Sequence, residues 1–192
     1  MIDCILLAAG NAARFGENKL MYPVEGIPMA MRAIDLHAAL PYRNRVLITQ
    51  KGYGEIAAKA REKGFSVAYN PRPERGLGLS VREAFAFLER MGEVSSGILF
   101  GVCDQPYLRR ESVEALCDCF LRDPTRITVL AGASRRGNPV IFPRAFLGEL
   151  RALDDERGGV EVVKAHPDRV YCLRVADDRE LRDIDRKQEV FP

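Results

Sequence analysis

The chain reads as an α/β protein, a three-layer, doubly wound and mostly parallel sheet with helices on both faces. Three observations predict this. Strand-like and helix-like segments alternate almost from end to end. The first strand is a continuous apolar run, Ile5-Leu6-Leu7-Ala8-Ala9, of the kind buried on both faces. That run breaks at Gly10 into a glycine-punctuated loop, the usual transition from a strand to a ligand-holding turn.

The expected strands are Asp3–Ala8, Arg45–Thr49, Ser66–Tyr69, Gly97–Val102, Ile127–Ala131, Pro139–Phe142 and Arg169–Val175. Between them, helical periodicity covers Pro28–Leu40, Tyr53–Lys63, Leu79–Met91, Arg110–Leu121 and Pro143–Leu153. Pro28 and Pro143 suit first helical turns, and Gly64 and Gly92 suit the residues after helix ends. Val113, Leu116, Cys117 and Phe120 share one helix face, which core packing explains. In such a sheet, ligands sit beyond the carboxyl ends of the strands, where strand order reverses. The loops after Ala9, Tyr69 and Val102 should therefore converge.

Composition excludes several classes. A 192-residue chain with no linker or repeat predicts one domain, 1–192. A net charge of +2, with cations scattered among anions, argues against a nucleic-acid surface. No apolar stretch approaches membrane-spanning length, and Met1-Ile2-Asp3 lacks the basic start of a secretory signal, so a cytoplasmic protein with no membrane association is expected. Five cysteines, with Cys117 and Cys119 two apart, do not make a zinc or thioredoxin spacing. Cys4, Cys103 and Cys172 lie in or after apolar runs and read as small hydrophobes.

Three loops carry chemistry. The first, from Gly10 to Lys19, places Arg14 and Lys19 beside backbone N–H groups and suits a polyphosphate. It is not a Walker A loop, since Glu17 and Asn18 follow Gly16, and it lacks the clustered glycines of a dinucleotide fingerprint. An ordinary strand-to-helix turn is the competing reading. The second loop, Asn70-Pro71-Arg72-Pro73-Glu74-Arg75-Gly76-Leu77-Gly78-Leu79-Ser80, brings glycines and a hydroxyl to a helix start, with Ser80 placed to cap the helix or touch a ligand. The third, Cys103-Asp104-Gln105-Pro106, puts a carboxylate at the end of a buried strand, suited either to a turn or to Mg²⁺ on a nucleotide.

Taken together the loops resemble a known family. Leu7-Ala8-Ala9-Gly10 followed by Arg14, Gly16 and Lys19 resembles the first signature of the molybdopterin nucleotidyltransferases. Gly76-Leu77-Gly78-Leu79-Ser80-Val81 is similar to their second glycine loop, and Cys103-Asp104-Gln105-Pro106 to their metal-binding turn. Arg136-Gly137-Asn138-Pro139 resembles their Gly-His-Pro segment with Asn for His, and Asp183-Ile184-Asp185 the start of their acidic tail. The match runs in order over about residues 3–186. Gln105 and the segment lengths look most like the molybdenum cofactor cytidylyltransferases.

The resemblance implies a Rossmann-like nucleotidyltransferase architecture and a Mg²⁺-dependent transfer of CMP from CTP to the terminal phosphate of molybdopterin, releasing pyrophosphate. It implies catalytic roles for Arg14, Lys19 and Asp104, metal binding by Asp104 and Asp185, and nucleotide contacts from Leu7, Ala8, Ala9, Gly10, Asn11, Gly76 and Ser80. Arg14 would clamp phosphates and Lys19 act as a mobile charge on the leaving pyrophosphate. A molybdenum hydroxylase apo-enzyme is the implied receiver. Departures lie in the acceptor half: Asp155-Glu156-Arg157-Gly158-Gly159-Val160 and Arg186-Lys187-Gln188 replace family residues. They keep open transfer of GMP, a sugar or polyol phosphate acceptor, and a non-catalytic accessory that binds nucleotide or cofactor.

Overall fold

The computed structural model describes residues 1–9, 15, 18–133, 135–154 and 158–190. In chain order its elements are β1 (Ile2–Ala8), β2 (Pro23–Val24), β3 (Ile27–Pro28), α1 (Met29–Ala38), β4 (Arg45–Thr49), α2 (Gly54–Glu62), β5 (Ser66–Tyr69) and α3 (Leu77–Arg90). There follow β6 (Gly97–Val102), α4 (Arg110–Arg122), β7 (Ile127–Ala131), β8 (Arg136–Pro143), α5 (Leu147–Arg151), α6 (Val160–Ala165) and β9 (Val170–Arg174).

Among the described residues the main sheet has the order β5-β4-β1-β6-β8-β7-β9. The strand pairs are parallel except those of β8, which runs antiparallel to β6 and β7. From β1 the chain winds outward through β4 and β5, then crosses back to place β6 on the other side of β1. The topological switch therefore lies between β1 and β6, and their carboxyl-end loops face one crevice.

Alternation along the buried strands divides the core into two layers. Cys4, Leu6 and Ala8 of β1 pack with Leu47 and Leu99 against α1, α2 and α4, through Ile34, Ile56, Leu116 and Phe120. Ile5, with Val46, Ile98 and Phe142, faces α3, α5 and α6 through Val81, Phe85, Leu150 and Val163. A third, smaller cluster joins Phe15, Val24, Met29 and Ile184 at the carboxyl edge. It anchors the loop after β1 and the C-terminal segment to each other.

Several boundaries differ from expectation for identifiable reasons. β8 begins at Arg136, three residues before the expected start at Pro139, because Asn138 and Pro139 form an irregularity opposite Val129 and Leu130 through which the strand continues. Proline is tolerated where a ladder is already interrupted. The segment expected as one helix from Pro143 splits into a 3₁₀ turn, Arg144–Phe146, and the short α5. The short β2–β3 hairpin is additional to the expected strands; Glu25 (φ 50°) and Gly26 (φ 80°) turn it, both in the left-handed region that type I′ hairpins require. Gly64 (φ 79°) follows the end of α2 as expected.

Cys172 corrects another expectation. It is exposed on β9, an edge strand of the sheet among the described residues, whereas Cys4 and Cys103 are buried and burial pushes both thiols upward in pKa.

One buried polar group ties stability to pH. His37 is fully buried in α1, its Nδ1 lying 3.0 Å from the Tyr42 hydroxyl, and burial lowers its pKa from 6.5 to about 3. The unfolded chain thus binds a proton that the native state refuses. The stabilisation is complete above pH 6.5 and is lost as pH falls from there toward 3. The expected loss between pH 8 and pH 5 is about 2 kcal/mol. Urea midpoints across that range measure it, and His37→Leu should flatten the dependence by that amount.

Candidate active site at the carboxyl edge

The 3₁₀ turn Lys19–Met21 places the first functional side chain. Asn18 caps this turn, its Oδ1 accepting from the Leu20 N–H at 3.2 Å, and Leu20 is buried in the core beneath. With Leu20 pinned inward, Lys19 projects toward the crevice. There its ammonium donates to Asp104 Oδ2 at 2.7 Å and to Asp185 Oδ1 at 2.8 Å. Three segments far apart in sequence thus meet at one nitrogen: the loop after β1, the loop after β6 and the C-terminal segment.

The Lys19 side chain is 12% exposed, that of Asp104 21% and that of Asp185 58%, so the pair with Asp104 is the better shielded. Burial by itself lowers the Lys19 pKa, but the charge and hydrogen bond of Asp104, followed by those of Asp185, outweigh it and the net shift is upward. Lys19 is therefore a cation held between two carboxylates. Asp183, nearby, has its pKa raised by burial and then by the charge of Asp104.

Two carboxylate oxygens converging on one cation make a donor set that suits a hard divalent ion. Mg²⁺ takes one or two carboxylates and completes its shell with water and phosphate oxygens. Asp104 and Asp185 fit that requirement.

The second glycine loop also reaches this edge. Gly76 adopts φ 106° as the residue capping α3, a conformation in the left-handed half of the map that favours glycine. α3 starts at Leu77 without a side-chain hydrogen bond at its cap, and its first turn follows the carboxyl end of β5. Ser80 is not the cap that the sequence suggested. It lies inside α3, buried, with its hydroxyl accepting from Asn70 Nδ2 at 2.9 Å. Asn70 Oδ1 in turn accepts from the Arg72 N–H at 2.9 Å, so this pair shapes the loop from beneath.

Of the other expected nucleotide contacts, Leu7 and Ala8 end β1 and Ala9 is buried beyond it. The Leu7 carbonyl accepts from the Cys103 N–H at 3.3 Å and that of Ala8 from Thr49 Oγ1 at 3.3 Å, tying the strand end to both neighbours. Gly10, Asn11 and Arg14 lie outside the described residues, as do Asp155, Glu156 and Arg157 of the altered acceptor segment.

Beside Leu7 opens a cavity of about 500 Å³ between the sheet, α3 and α6. Its walls are apolar, with Phe100, Val140 and Phe142 among them, while Arg136, Asn138 and Lys164 bring polar groups to it. The irregularity of β8 at Asn138-Pro139 lies beside Arg136, which lines this cavity. Arg135 is likewise engaged, its guanidinium donating to the Leu181 carbonyl. Gln105 is buried and bonded to the C-terminal segment, its Nε2 donating to Asp183 Oδ1 at 2.8 Å. No helix among the described residues is long and apolar enough to cross a membrane.

Comparison with known proteins agrees with this fold. The chain is 26% identical over 195 residues to the purine catabolism protein PucB of Bacillus subtilis (strain 168), covering 96% of this chain and 92% of that protein. Its structure is similar to that of Rv0371c from Mycobacterium tuberculosis H37Rv, with TM-score 0.77, 25% identity and coverage of 91% of this chain and 87% of that one. The fold is shared with Mth528, a nucleotidyl transferase from Methanothermobacter thermautotroptrophicus, at TM-score 0.80 and 18% identity over 98% of this chain and 94% of that one. The family model that describes the MobA-like NTP transferase domain matches residues 4–170, and the chain belongs to that nucleotidyltransferase family.

Proposed function

We propose that this nucleotidyltransferase moves CMP from CTP to the terminal phosphate of molybdopterin, with a divalent cation, Mg²⁺ in the cell, held by Asp104 and Asp185. The observation that carries the reading is the convergence of Asp104 and Asp185 on Lys19 at the switch between β1 and β6. Rv0371c, which shares this fold, has a structure in complex with manganese, and that is compatible with a divalent ion in the reaction. Likeness to the purine catabolism protein PucB directs the search for a receiving apo-enzyme to a molybdenum hydroxylase of purines.

In this reaction a phosphate oxygen of the acceptor attacks the α-phosphorus of the nucleotide. A new P–O bond forms, the bond to the bridging oxygen of the β-phosphate breaks, and pyrophosphate leaves with that electron pair. An ionised phosphate is already nucleophilic, so the protein supplies alignment and charge rather than a covalent nucleophile. A divalent cation, when bound, supplies Lewis-acid polarisation and charge neutralisation. Asp104 and Asp185 hold it, Lys19 and Arg14 neutralise phosphate oxygens, and the first-turn N–H groups of α3 after Gly76 receive the nucleotide. Backbone groups around Ala9, Gly10 and Asn11, with Leu7, Ala8 and Ser80 shaping the pocket, contact the base.

The apolar cavity beside Leu7 suits a flat fused-ring acceptor, with Arg136 and Lys164 near its anionic groups. Arg136→Ala is expected to raise the acceptor KM about tenfold, the scale of losing one charged hydrogen bond, and to leave the KM for CTP within about twofold. Pyrophosphate release with each nucleoside triphosphate and molybdopterin tests the function. Turnover restricted to CTP supports it. Turnover restricted to GTP keeps the mechanism and overturns the choice of base, and turnover only with a sugar or polyol phosphate overturns the acceptor.

A further inference from the structure

We propose that Gln105 is a positioning residue for the second carboxylate of the site: its side-chain amide ties the Asp104 turn to the C-terminal segment that carries Asp185, and so sets how the two carboxylates face each other. The proposal rests on the reading of Asp104 and Asp185 as a divalent-cation site.

Asp185 belongs to no strand or α-helix. After β9 the described chain contains only two 3₁₀ turns, Asp178–Leu181 and Lys187–Glu189, so tertiary links must fix where Asp185 stands. The bond from the Asp185 N–H to Glu189 Oε2, at 2.7 Å, is local to the segment and gives no register against the rest of the site. Besides the Lys19 bridge between the two carboxylates, Asp104 and Gln105 each bond directly to this stretch among the described residues. The Ile184 N–H donates to the Asp104 carbonyl at 3.0 Å, and Gln105 Nε2 donates to Asp183 Oδ1 at 2.8 Å and to the Leu181 carbonyl at 3.3 Å. Ile184, between Asp183 and Asp185, is fully buried. The two links therefore bracket the backbone that leads into Asp185, both coming from the residue that binds Lys19 or from its immediate neighbour.

The orientation of the amide is forced. One acceptor facing Nε2 is a carboxylate and the other a carbonyl, so the reversed amide would set its oxygen against both. The retained orientation leaves Gln105 Oε1 buried with no partner among the described residues. A buried carbonyl without a partner is costly, so shape alone would be better served by an apolar side chain at this position. The donor is the part of the side chain that the site uses. Residues that orient metal ligands without touching the metal commonly change affinity by about 10–100-fold when altered.

The test is Mn²⁺ binding to the full chain, followed by electron paramagnetic resonance, with melting midpoints taken alongside. Gln105→Met keeps the length of the side chain and removes the donor. Asp183→Ala removes the acceptor at the more accessible end of the same bond, and serves also if the first variant does not fold. Each is expected to raise the Mn²⁺ dissociation constant about 10–100-fold. The double variant should be no weaker than the weaker single, and turnover should recover toward wild type at saturating Mn²⁺. Wild-type Mn²⁺ affinity in either folded single variant, or additive losses in the double, overturns the positioning role. Asp104→Asn separates the two levels: if it binds Mn²⁺ as wild type does, the cation-site reading itself fails.

Discussion

Replacing Asp104 by alanine lowers turnover about 10²–10³-fold in protein that still folds, the scale for losing one charge contact that matters in a transition state. Asp104 stands immediately after the β6–Cys103 strand end, whose Cys103 N–H is bonded to the Leu7 carbonyl of β1. Its position is thus set by the two central strands, and removing the carboxylate deletes charge without releasing the loop. Asp104 is also partly open to solvent, so loss of its ion pair with Lys19 costs little stability by itself. Pyrophosphate release at saturating nucleotide, beside an unchanged melting midpoint, makes the measurement. Turnover within threefold of wild type would remove Asp104 from the chemistry.

Lys19→Ala lowers turnover by a similar 10²–10³-fold, yet Mn²⁺ affinity does not weaken. The sign follows from geometry. The Lys19 ammonium sits within hydrogen-bond distance of both carboxylates, where it competes with any other cation for the same oxygens. Deleting it removes a competitor for the metal while removing a charge needed by the phosphates. A loss of metal affinity equal to that of the Asp104 variant would show that Lys19 supports the carboxylates rather than the nucleotide.

How much of this was legible in the sequence depends on the range of the interaction concerned. The buried parallel strands declared themselves through apolar runs, and Arg45–Thr49, Ser66–Tyr69, Gly97–Val102 and Ile127–Ala131 begin and end where expected. Ordered motifs singled out Lys19, Asp104 and Asp185, which the fold brings together at one point. No local motif shows Lys19 held by both carboxylates, because residue 19 and residue 185 meet only through tertiary packing, to which the cluster of Phe15, Met29 and Ile184 belongs. Gln105 was read beside its neighbours in the chain, whereas its partners lie at Leu181 and Asp183. Ser80 lies inside α3 because the helix begins at Leu77, where Gly76 rather than a hydroxyl ends the loop. Pro139 hid the length of β8 because proline normally ends a ladder, and here the ladder is already irregular.

The most direct test of the whole account follows two labels of CTP in the presence of Mg²⁺ and molybdopterin. With the label on the α-phosphate, radioactivity should move into a molybdopterin dinucleotide; with the label on the γ-phosphate, it should leave as pyrophosphate, in equal amount. An α-label that stays with intact, stoichiometrically bound CTP would make the protein a carrier, and a γ-label that reaches the acceptor would make it a kinase. Either result would contradict nucleotidyl transfer at the Lys19–Asp104–Asp185 site.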